Sequence, residues 1–124
     1  MKKKCAFVLE DNDDIRELFT LLLEEEHLEV KAYPTAAAFK QSMQHEHPDI
    51  VIMDVMLPHG NGIEICHELK SNPATADIPI IMTSAHSDYH AIKDQCEAEA
   101  FVAKPFNIHD FLTKVNAFVL KSNL

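Results

Sequence analysis

The chain uses glycine twice in 124 residues and has no tryptophan. Such scarcity rules out glycine-rich linkers and low-complexity segments, and no internal repeat interrupts the sequence. Both glycines fall in one stretch, Leu57-Pro58-His59-Gly60-Asn61-Gly62. A backbone conformation closed to other residues is the expected reason for placing them there. Basic residues are also few: 11 against 20 acidic ones, for a net charge of −9. That balance argues against binding nucleic acid or an anionic membrane through the domain as a whole, and suits carboxylates gathered around a cation. No hydrophobic run approaches the length of a membrane span, and the stretch after Met1-Lys2-Lys3-Lys4 is too short for a signal peptide. Cys5, Cys66 and Cys96 are odd in number and lack metal-ligand spacing. They read as reduced thiols filling small core positions of a cytoplasmic protein.

Hydrophobic content of 47% and charged content of 25% are those of an ordinary globular domain. The expected organisation is one domain over residues 1–124, with no room for an output domain after a last helix ending near Lys121.

The organising stretch is Ile50-Val51-Ile52-Met53-Asp54. Four apolar residues in a row, three of them β-branched, predict a strand buried on both faces, as in a parallel sheet. Cys5–Leu9 predicts a first strand, followed at once by Glu10-Asp11-Asn12-Asp13-Asp14. Asp13 or Asp14 is expected to cap or complement the next helix, whose apolar face is Ile15, Leu18, Phe19 and Leu22. Glu29–Tyr33 alternates like an edge strand, and Pro34-Thr35 opens a helix carrying Phe39 and Met43. Ile65, Cys66 and Leu69 mark a helix ended by Ser71-Asn72-Pro73. Ile78–Met82 predicts a fourth strand running into Thr83-Ser84-Ala85, and Ser87 is placed to cap a short helix reaching Cys96. Ala100–Ala103 predicts the last strand, ending in Lys104-Pro105, and Asn107 caps a final helix with Ile108, Phe111, Leu112 and Val115 inward. Strict alternation of five strands and five helices predicts an α/β fold with a parallel sheet covered on both faces.

Four of the five strands end in polar groups: Glu10 and Asp11, Asp54, Ser84, and Lys104. In a parallel sheet those ends share one edge, where ligands of open α/β sheets bind. Three clustered carboxylates call for a cation, and oxygen-only donors favour a hard ion such as Mg²⁺, with Mn²⁺ as the other candidate. A lysine and a hydroxyl beside them suit phosphate. The set describes phosphoryl transfer with Asp54 as a carboxylate nucleophile.

These residues carry a family resemblance over about residues 7–119. Val8-Leu9-Glu10-Asp11-Asn12, Asp54 to Gly62, Pro79 to Ala85, and Lys104-Pro105-Phe106 together resemble the receiver domain of a two-component response regulator, of the CheY-like single-domain type. The resemblance implies the flavodoxin-like strand order 2-1-3-4-5, which the receiver fold itself exemplifies. It implies that Asp54 accepts a phosphoryl group from a sensor histidine kinase or a histidine phosphotransfer protein. By the same carry-over Glu10, Asp11, Asp54 and the backbone carbonyl of Met56 hold the ion, Ser84 bonds the phosphoryl group, Lys104 pairs with it, and the Lys104-Pro105 peptide is cis.

Such a domain catalyses its own phosphorylation and slow dephosphorylation without being a conventional enzyme. It acts as a monomer or a phosphorylation-dependent dimer. Its output is a downstream protein meeting the face formed by the fourth helix, the fifth strand and the fifth helix, or onward relay of the phosphoryl group. Phe101 stands at the aromatic switch position, coupled to Ser84, although a buried strand residue is its plainer reading. Glu10 replaces the more usual aspartate, and Glu97 falls where the family often has glycine. Thr83 is expected in the core. His86 and His90, like His45 and His47, lack a third metal ligand at motif spacing. Met56 and His86 flank the acceptor, and a methionine cannot orient an attacking water, so a long-lived phosphoryl group is expected.

Three other readings meet obstacles. A haloacid-dehalogenase-like phosphatase needs a second acid where Met56 stands. A flavodoxin-like electron carrier would have its flavin phosphate repelled by Glu10 and Asp11. A receiver-shaped interaction module that works without phosphorylation has no evident need for the complete set of phosphorylation residues.

Overall fold

The computed structural model describes residues 3–57, 60–85, 96–104 and 106–121. Five strands, numbered in chain order, form one parallel sheet: β1 (Cys5–Leu9), β2 (Glu29–Tyr33), β3 (Ile50–Asp54), β4 (Ile80–Ala85) and β5 (Ala100–Lys104). Their spatial order is β2-β1-β3-β4-β5, the expected one; the two-residue strands Met56–Leu57 and Gly60–Asn61 form a separate antiparallel ribbon and carry no number. The described helices are α1 (Asp13–Glu25), α2 (Ala36–Met43), α3 (Gly62–Ser71) and α4 (Ile108–Lys121). The helix expected from Ser87 to Cys96 falls almost wholly outside the described residues, as do His59, His86, His90 and the proline of the Lys104-Pro105 bond.

Side chains alternate across the pleat, so each strand feeds two cores. Ala6, Val8, Ile50, Ile52, Ile81 and Val102 pack under α1 and α4 against Phe19, Leu23, Phe111 and Val115. The intervening residues Phe7, Leu9, Val51, Met53, Ile80 and Met82 pack on the other side against Phe39, Ile65 and Cys66 of α2 and α3. Every residue of β3 is buried, which is why its sequence is an unbroken apolar run up to Asp54. Edge strand β2 stays partly wet.

Several local expectations need correction. The cap of α1 is Asn12, whose Oδ1 accepts from the Ile15 N–H at 3.0 Å; Asp13 and Asp14 lie in the first turn, where their charge complements the helix dipole. Leu18 and Ile108 are exposed, and Leu23 and Val119 take core places instead, because an amphipathic face is broader than the contact it makes. Strand β4 begins at Ile80, two residues late, and runs through Ala85. Ile78 is buried ahead of it. Gly62 is not left-handed. Gly62 is required by proximity: a Cβ there would stand 2.2 Å from the Asp54 carbonyl oxygen.

The left-handed residue is His27, at φ 66°. It closes α1: the His27 N–H donates to the Glu24 carbonyl and the Leu28 N–H to Leu23, with Leu23 and Leu28 both buried. Two caps are those expected, Thr35 Oγ1 accepting from Ala38 and Asn107 Oδ1 from Asp110, while the Asn61 cap of α3, its Oδ1 accepting from Ile63, was not.

Candidate phosphoacceptor site

Parallel pairing brings the carboxyl ends of β1, β3, β4 and β5 to one edge. Asp54 lies opposite Thr83, Ser84 opposite Ala103, and Ala85 opposite Lys104. Glu10 follows the last residue of β1 and hangs over the same edge. The carboxylate oxygens of Glu10, Asp11 and Asp54 lie within 4.8 Å of one another, the sole such metal-capable group among the described residues. Glu10 is 1% exposed and Asp54 7%, while Asp11 is open to solvent.

Among the described residues one cation answers these acids directly. Lys104 Nζ is 2.8 Å from Glu10 Oε1 and 3.5 Å from Asp54 Oδ1. The lysine therefore leans on Glu10, a consequence of the longer glutamate side chain standing where an aspartate would be shorter. Two more residues hold Glu10, and neither was given that role from the sequence. The Asn12 N–H donates to Glu10 Oε2 at 3.2 Å, and Arg16 Nη1 donates to the Glu10 carbonyl at 3.0 Å. An arginine one turn into the helix after an acidic run was the available signal.

Asp54 is poorly compensated. Burial, followed by the nearby Glu10 charge, raises its pKa from 3.8 to about 6; Lys104 and a 3.4 Å bond from the Met56 N–H oppose the rise. The hydroxyls of Thr83 and Ser84, both buried, make no hydrogen bond. Such orphaned groups at a sheet edge point to a ligand that supplies their partners. The donor set fits a hard divalent cation: three carboxylates, oxygen only, with charge in excess of the lysine. Met56 sends its side chain to solvent, 68% exposed. Phe101 is half-buried against the α3-side core, level with Met82 across β4.

Residues 6–116 match the response regulator receiver domain model. The chain belongs to the response regulator receiver family. It is 30% identical over 121 residues to the transcriptional regulatory protein GltR of Pseudomonas aeruginosa, a match covering 96% of this chain and 50% of that protein. A putative response regulator from Chloroflexus aurantiacus superposes with a TM-score of 0.88 at 26% identity, covering 96% of this chain and 99% of the other. The BeF3-activated receiver domain of DrrB, a Thermotoga maritima protein, gives a TM-score of 0.82 at 27% identity over 95% and 98% of the two chains. The receiver spans about half the length of the transcriptional regulators it matches. Among its described residues no helix is long and apolar enough to cross a membrane.

Proposed function

We propose that this receiver is a phosphorylation-activated switch working in the cytoplasm, with Asp54 as the acceptor. The observation that carries the reading is the convergence of Glu10, Asp11 and Asp54 within 4.8 Å, with Lys104 reaching into the group, in a chain of this family. The donor is a phosphohistidine of a sensor kinase or phosphotransfer protein, and a small acyl phosphate substitutes for it in vitro. An Asp54 carboxylate oxygen attacks phosphorus, the bond to the donor nitrogen breaks, and the electron pair leaves with the imidazole. The product is an acyl phosphate on Asp54.

Glu10, Asp11, Asp54 and the Met56 carbonyl would hold Mg²⁺ or Mn²⁺, which when bound offsets charge on the transferring phosphoryl oxygens. Lys104 exchanges its contact with Glu10 for a phosphoryl oxygen. Ser84 donates its unpartnered hydroxyl to another. Movement of Ser84 toward the phosphoryl group vacates space on the α3 side, where Phe101 turns inward and changes the surface formed by β5 and the helices beside it. That surface meets a downstream protein.

The test is intact mass after incubation with acetyl phosphate. The expected result is one added phosphoryl group that requires Mg²⁺ and is lost in Asp54→Asn. No addition to a folded, Mg²⁺-binding wild type would overturn this reading in favour of a binding module independent of phosphorylation.

A further inference from the structure

Away from the phosphoacceptor edge, α3 is joined to the segment leading into β5 by a row of matched residues. Lys70 Nζ lies 2.6 Å from Glu99 Oε2, and His67 Nδ1 lies 3.9 Å from Glu97 Oε1. Cys66 sits one helical turn before Lys70 on the same face, as Cys96 sits three residues before Glu99. These pairs bring the two cysteines to one place: Cys66 belongs to the α2–α3 core and Cys96 packs against that core. Cys66 is fully buried, whereas Cys96 is partly open. No third ligand joins them in a metal-capable group among the described residues.

We propose that Cys66 and Cys96 are an oxidisable pair that closes into an intramolecular disulfide, a modification site separate from Asp54. The oxidant class is a peroxide. The half-open Cys96 sulfur attacks a peroxide oxygen, the O–O bond breaks, and Cys96 becomes a sulfenic acid with release of one water from hydrogen peroxide. The Cys66 sulfur then displaces the sulfenic oxygen, which leaves as a second water carrying the Cys66 proton. Two thiols are oxidised by two electrons, and the peroxide is reduced to two waters. Burial pushes the Cys66 thiol up to about 12, so it stays protonated and shielded until Cys96 has reacted. The bridge ties α3 to the lead-in of β5, the strand that carries Phe101 and Lys104.

The test treats the full chain with hydrogen peroxide, followed by alkylation and peptide mapping under non-reducing conditions. The expected result is a monomer lighter by two hydrogens, a linked Cys66–Cys96 peptide pair, and Cys5 as the one cysteine of three that still alkylates. Cys96→Ser should lose the link while retaining the wild-type circular dichroism spectrum. Cys66→Ala should leave Cys96 as a sulfenic or higher acid. Oxygen addition at Cys96 in the wild type with Cys66 still free to alkylate after denaturation, or a bridge between two chains in place of the internal one, would overturn the proposal.

Discussion

The two ends of the sheet handle charge in opposite ways. At the amino end, polar groups near the core are satisfied by the fold. Lys70 Nζ donates to the carbonyls of Ala76 (3.2 Å) and Ile78 (2.7 Å) and to Glu99, whose other oxygen accepts from the Ile80 N–H at 2.7 Å. Asp49 similarly accepts from the Cys5 N–H at 2.7 Å. At the carboxyl end three carboxylates share one lysine, Asp54 resists ionisation, and two buried hydroxyls lack partners. One end is closed; the other is built to be completed from outside. The difference separates residues that hold the domain together from residues that spend stability on a ligand.

The sharpest way to break the closed end is Lys70→Ala. It strands the Glu99 carboxylate and two carbonyls, and because Glu99 is partly solvated the cost should be about 3 kcal/mol, at the low end for a broken buried pair. Urea unfolding measures it, and a loss within the range of surface ion pairs, about 1 kcal/mol or less, would deny that Lys70 is a structural keystone. Gly62→Ala comes next, with an expected loss of about 2 kcal/mol as the new Cβ displaces the Asp54 backbone. It should also impair Mg²⁺ binding, which a purely helical substitution would not do.

Removing the frustrated charge at the open end should have the opposite sign. A carboxyl whose folded pKa, about 6, exceeds its unfolded value favours the folded state when protonated, and that contribution is lost as pH rises through 6. In chelator at pH 7, Asp54→Asn should therefore be more stable than wild type by about 2 kcal/mol, roughly the free energy of such a shift after allowance for solvent. The advantage should shrink toward pH 4. A pH-independent difference would locate the effect elsewhere.

Supplying a cation should also relieve the open end. At ten times its dissociation constant Mg²⁺ should stabilise the wild type by about 1.4 kcal/mol, with a much smaller response in Asp11→Ala. The smallest effect is expected for Thr83→Val, which replaces an unpaired buried hydroxyl by a methyl of the same shape. It should gain about 1 kcal/mol, whereas a loss would show that Thr83 has a solvent partner.

Much of this architecture was legible in the residues. The β-branched run of β3, the helical spacing of the aromatics and the punctuation at Thr35 and Asn107 are local signals, and local geometry obeyed them. Strand order came from a resemblance rather than from spacing. The reason for Gly62 was misread, because it answers to a backbone eight residues away in sequence and not to its own φ. Leu18 and Ile108 showed core-like spacing yet lie outward, since an amphipathic face is broader than the contact it makes. Nothing in sequence spacing marked the Lys70–Glu99 pair, twenty-nine residues apart, or the left-handed His27.

By itself the sequence determined which residue types would end each strand, and parallel alternation then required those ends to share an edge. The tertiary structure alone decided how the charges there divide. Lys104 pairs more closely with Glu10 than with Asp54, Asp54 is left difficult to ionise, and Cys96 packs against the core that holds Cys66. Periodicity places a residue on a face, but distances of a few ångströms between side chains on different elements arise only when the whole core is packed.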